Sequence, residues 1–89
     1  MYIHLGSDIV VNMKNIIGIF DLDTSSLSKN TKEYLSHATA KGVVKNVTNE
    51  LPKSFIVCEV DGEQIVYISQ ISSATLLKRA SFIDEIANT

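Results

Sequence analysis

The residues best suited to chemistry are few and scattered. Asp21-x-Asp23-x-Ser25 has the oxygen-ligand spacing that opens an EF-hand loop. Such a loop needs a sharp-turn glycine at its sixth position and a bidentate glutamate at its twelfth. Ser26 and Lys32 stand there instead, so the calcium reading fails and the acids are read as solvated carboxylates after a strand. His4 and His37 fall in different elements without an HxxxH spacing or a cysteine partner, which leaves no recognisable zinc site. Abundant serines, two distant histidines and one cysteine, without a G-x-S-x-G elbow, do not assemble a nucleophile and base. No glycine-rich phosphate cradle is present either. The chain is therefore read as non-enzymatic, without metal, cofactor or small-molecule substrate.

Basic residues are the remaining chemical group. Lys29, Lys32, Lys41, Lys45 and Lys53 outnumber Glu33 and Glu50 in the middle of the chain, and Lys78-Arg79 form a pair. In a single subunit they read as solvated faces and as favourable charge near a helix end. In a symmetric assembly the same lysines would form a positive band able to meet phosphates. The net charge of −2 carries no basic excess, so binding to nucleic acid would have to come from such clustering.

At 89 residues the chain is expected to form one domain over 1–89, with 81–89 either a frayed tail or an extension of the last helix. Hydrophobic residues make up 45% of it, more than one small core easily conceals, which suggests contact with other subunits. Cys58 alone excludes an internal disulfide framework and suits a reducing cytoplasm. Neither a signal peptide nor an apolar run of the roughly 18 residues needed to span a bilayer is visible, so the chain is read as soluble and unsecreted. The triplet Asn46-Val47-Thr48 would then not meet the glycosylation machinery.

The elements that position these residues follow from pattern. Tyr2 to Leu5, Ile9 to Val11 and Ile16 to Phe20 are three β-forming bursts separated by Gly-Ser-Asp and Asn-Met-Lys-Asn turns. Because Ile16 to Phe20 is apolar on both faces, a central sheet position is expected, with Gly18 marking close approach by a backbone or bulky side chain. Ser28 should cap a helix from Lys29 to Lys41 that stops at Gly42, with Thr31, Tyr34, Leu35 and Ala38 inward. Val43 to Thr48 reads as a short edge strand guarded by Lys45. Asp61-Gly62 predicts a tight hairpin in which Val60 opposes Glu63, Cys58 opposes Ile65, Ile56 opposes Tyr67, Val57 opposes Val66 and Phe55 opposes Ile68. Both hairpin faces are apolar, which calls for a second helix or a subunit interface. That helix is expected over Ala74 to about Ala80, capped by Ser72 or Ser73, with Leu76, Leu77 and Ala80 inward; Phe82, Ile83 and Ile86 keep helical spacing beyond it. The fold class is thus α+β, a small β-rich domain with N-terminal strands, a helix, a hairpin and a C-terminal helix.

Four segments carry a family resemblance: Ile3-His4-Leu5-Gly6, Ile16-Ile17-Gly18-Ile19-Phe20-Asp21, Leu51-Pro52-Lys53-Ser54-Phe55-Ile56-Val57, and the stretch from Ile71 to Arg79. Together, over about Ile3 to Ala80, the chain resembles the small bacterial extracellular-matrix regulatory proteins RemA and RemB, and the RemB branch more closely. The resemblance implies a bacterial cytoplasmic protein with a LytTR-like subunit. For the RemA branch it implies a ring-like homo-oligomer that binds double-stranded DNA and activates transcription of biofilm-matrix genes. Carried over, it points to Lys53 and, by neighbourhood, Lys14 as phosphate contacts; the basic pair Lys78-Arg79 is added as a further candidate from the residues themselves. One departure stands out: the RemA branch has an arginine-rich stretch where this chain reads Asn49-Glu50-Leu51-Pro52-Lys53. The alternative reading is an oligomeric scaffold or protein-interaction module that keeps the fold without binding DNA.

Overall fold

The central hairpin forms as its turn dictates. The computed structural model describes residues 1–22 and 28–87, with side chains as far as 81. Strands β5 (Ser54–Val60) and β6 (Glu63–Ser69) pair in the register expected from the sequence, all five of the named cross-strand pairs included. Asp61 (φ 52°) and Gly62 (φ 83°) occupy the left-handed region, as a type I′ turn requires of its two central residues.

The other strands add to this hairpin on both sides. Strand β3 (Ile16–Asp21) pairs antiparallel with β5, and β4 (Val44–Asn46) pairs parallel with β6. The sheet order is β3-β5-β6-β4. The edge role expected for the segment around Lys45 holds, while the central position expected for Ile16 to Phe20 does not. Strand β3 is an edge. Its two faces differ in environment: Ile16 and Ile19 pack into a core, whereas Ile17 and Phe20 point to the other face and stay partly exposed. A register shift between Ile16 and Gly18 turns Ile17 to the same side as Phe20. Gly18 does mark a close approach, because a Cβ there would lie 2.6 Å from the Phe20 ring.

Each sheet face has its own cover. Helix α1 (Lys29–Ala40) lies over one face, where Ala38, Phe55, Val57 and Val66 are buried with Tyr34 and Leu35 against them. Ser28 caps it by accepting the Thr31 amide at 3.1 Å. At its end Val43 N–H donates to Ala38 and Gly42 N–H to Thr39, with Gly42 at φ 74°, a Schellman stop.

The opposite face is covered jointly by helix α2 (Ser73–Ala87) and a separate two-stranded ribbon of β1 (Tyr2–Gly6) and β2 (Ile9–Asn12). Alternation along the ribbon sends Ile3, Leu5 and Val11 inward to meet Ile56, Cys58, Val47 and Leu76. The second cover demanded by the hairpin is therefore present within one chain, and half of it is strand. Ser72 caps α2 by accepting the Thr75 amide at 3.2 Å, and the backbone stays helical through Ala87. Leu76 is 0% exposed, but Leu77, expected inward, is 50% exposed. With Leu76 and Ala80 defining the buried line, a further step of about 100° turns Leu77 off it.

Candidate nucleic-acid interface

Each of the four cations singled out in the sequence is exposed, and each is held by a different device. Lys14 rides on the 3-10 turn Met13–Asn15 between β2 and β3, where its amide donates to Asn12 Oδ1 at 3.2 Å. Lys53 precedes β5, its N–H donating to Ser69 O at 2.8 Å and its carbonyl accepting from Leu22 N at 2.9 Å. Its backbone is thus clamped between the ends of β6 and β3 while the residue itself is exposed. Lys78 lies two residues beyond Leu76, about 200° around the helix, and so faces solvent. Arg79 instead turns back to β1, its Nη1 donating to His4 O at 3.1 Å.

The sheet keeps Lys14 and Lys53 apart. Ile16, two residues after Lys14, sits opposite Cys58, which is five residues and about 17 Å along β5 from Lys53, so the two cations belong to opposite ends of that strand. Their surroundings differ as well. Lys14 belongs to the end of the sheet that carries Glu59, Asp61 and Glu63 at the hairpin tip. Lys53 belongs to the end where Ser54 pairs with Asp21. Lys14 and Lys53 are therefore separate positive points on the subunit.

Acidic and histidine candidates are not gathered either. His4 belongs to the ribbon on one side of the sheet and His37 to α1 on the other, and His4 Nε2 is engaged with Ser7 O at 2.6 Å. Among the described residues no three His, Cys, Asp or Glu side chains lie close enough to hold an ion. Asp23 and Ser25 of the EF-hand-like stretch lie outside the described residues, as do the side chains of Phe82, Ile83 and Ile86. Cys58 is buried, and burial pushes its thiol pKa up, the opposite of an activated nucleophile. Among the described residues no helix is long and apolar enough to cross a membrane.

Two features escaped the sequence reading. Ser54 and Ser69, paired across β5 and β6, are fully buried and stitch the layers together. Ser54 Oγ donates to Ile71 O at 2.7 Å, and Ser69 Oγ donates to Leu5 O at 2.6 Å while accepting the Ile71 amide at 3.0 Å. They tie the ribbon and the entry to α2 to the same sheet end that holds Lys53. The second feature is an apolar groove of about 380 Å³ between α1 and the β3 edge, lined by Ile17, Phe20, Tyr34, Phe55 and Val57. Phe20 and Phe55 stack along it with centroids 5.0 Å apart, and Tyr34 Oη donates to Gln64 Oε1 at 3.0 Å. The apolar second face of β3 was the signal for this groove, but periodicity alone assigned it to burial.

The described residues form a small α+β domain of two helices and mixed strands whose Lys14 and Lys53 lie at different ends of the sheet. Residues 2–80 match the family model described as extracellular matrix regulatory protein A-like, and the chain belongs to that RemA-like family. It is 45% identical over 86 residues to extracellular matrix regulatory protein B of Bacillus subtilis (strain 168). The alignment covers 97% of this chain and 98% of that relative, which puts the chain on the RemB side of the family.

Proposed function

We propose that this chain is a cytoplasmic, homo-oligomeric transcriptional regulator of bacterial matrix genes that binds double-stranded DNA through its phosphates. Membership of the matrix-regulatory family over nearly the whole chain is the observation that carries this reading. A LytTR-like relationship of the subunit is part of the same proposal. Lys53 and Lys78 are the first candidates for phosphate contact, since both are exposed and Lys53 springs from a backbone clamped on both sides. Lys14 and Arg79 follow, the former beside the acidic hairpin tip and the latter committed in part to His4 O. Because these points are spread over one subunit, several copies must act together to track a duplex.

The test is duplex-DNA binding at several salt concentrations with the assembled mass measured in parallel. Affinity should fall steeply with salt, with a log–log slope of about −0.9 per phosphate contacted, and Lys53→Glu should weaken binding and reduce the slope. Absence of binding by the assembled protein at low salt overturns the reading.

A second reading, an oligomeric scaffold without DNA binding, is favoured by one specific place. The family's basic slot holds Glu50-Leu51-Pro52, and Leu51 is 79% exposed. An apolar side chain offered to solvent beside an acid suits a protein contact better than a phosphate. Under this reading Leu51→Asp should abolish capture of a protein partner while Lys53→Glu leaves it unchanged.

A further inference from the structure

The two edges of the four-stranded sheet are built differently. At one edge β4 is three residues long and carries exposed Lys45 at its middle, the usual device against edge-to-edge pairing. At the other edge β3 is twice as long, and Ile16-Ile17-Gly18-Ile19-Phe20 contains neither a charge nor a proline. The register shift that turns Ile17 outward leaves it 56% exposed and Phe20 45% exposed at the mouth of the groove under α1. The register shift kinks this edge locally, but among the described residues no charge or proline sits within the apolar run, and the large apolar side chains beside it make it a template for another strand.

Charge selects the occupant. Lys14 precedes the apolar run and Asp21 closes it, both exposed. A second copy of β3 laid alongside in the parallel sense would place Lys14 against Lys14 and Asp21 against Asp21. Laid antiparallel about the neighbourhood of Gly18, each Lys14 comes toward the other copy's Asp21, and each Ile17 and Phe20 comes toward the other groove. We infer that the β3 edge is a self-complementary interface at which two copies join antiparallel, continuing the sheet across a two-fold axis. This rests on the self-association included in the proposed function and specifies its surface. It also gives Lys14 a task other than phosphate contact.

The experiment is sedimentation velocity on the full chain over a concentration series. Ile17→Lys, at a half-exposed position, should keep the far-UV spectrum and melting behaviour while weakening this association roughly tenfold or more, through like charges brought together across the axis. Lys14→Glu and Asp21→Lys should each weaken it, and the double variant should recover it. A wild-type oligomer whose mass is unchanged by Ile17→Lys overturns the interface, as does a double variant no better than either single one; self-association then uses another surface, such as the β4 edge. A wild-type monomer at all concentrations overturns both the interface and the oligomeric reading. Loss of mass in Ile17→Lys, with no DNA binding by the wild type, upholds the interface and overturns only the DNA reading.

Discussion

The two faces of the sheet have the same kind of sequence beneath them and opposite finishes. Under the ribbon and α2, Ile3, Leu5, Ile56 and Leu76 are essentially free of solvent, and two buried serines bind the layers at one end. On the α1 side the described cover is one helix of twelve residues whose inward line is Thr31, Tyr34, Leu35 and Ala38, and the described residues leave a groove along β3. The difference teaches where stability and contact are separated in this small domain. The sealed face holds the fold together, and the other face leaves Ile17 and Phe20 half exposed.

The largest test of this division compares one side chain from each face. Leu76→Ala should lower unfolding free energy by about 2–5 kcal/mol, since it leaves a cavity in the sealed face. Phe20→Ala, at a site nearly half in water, should cost clearly less in urea denaturation although it removes a larger side chain. Equal losses would break the comparison. A sharper version uses Gly18→Ala, whose Cβ would meet the Phe20 ring at 2.6 Å and force it off its stack with Phe55. About 1–3 kcal/mol should be lost, and much less in a Phe20→Ala background, a non-additivity that a double-mutant cycle reads directly.

The smallest effect is alkaline. Burial raises the Cys58 pKa above its ordinary 9.0, and burial followed by the neighbouring Cys58 raises that of Tyr67 above 10.0; both belong to the sealed face. Below those values both groups are neutral in the folded and unfolded chain alike. As pH rises past 9.0 the unfolded chain releases its thiol proton first, so stability declines through the interval up to the raised folded value. Denaturation at pH 8 to 11 should show this decline, and Cys58→Ala should make it shallower.

The hairpin register was legible because Asp61-Gly62 dictates one turn and alternation then assigns every pair. The caps at Ser28, Gly42 and Ser72 were legible for the same local reason. Of the candidate site, residue types and exposure could be anticipated, but not that Lys14 and Lys53 belong to opposite ends of a sheet, or that Arg79 reaches a carbonyl 75 residues earlier.

What the chain's own order of residues determined is thus everything decided within a turn of helix or a hairpin's reach: the caps of the two described helices, five of the six described strands close to their observed bounds, and the family. The sixth, β4, was legible as an edge but drawn longer than its three residues. Only the tertiary structure decided that Ile16 to Phe20 is an edge, that the ribbon shares a face with α2, and that Leu77 and Ile17 look outward. The reason is physical. Hydrophobic periodicity records which side chains gain by leaving water, whereas the element that removes them from it, in this chain or in a second copy, is set by long-range packing that no local pattern encodes.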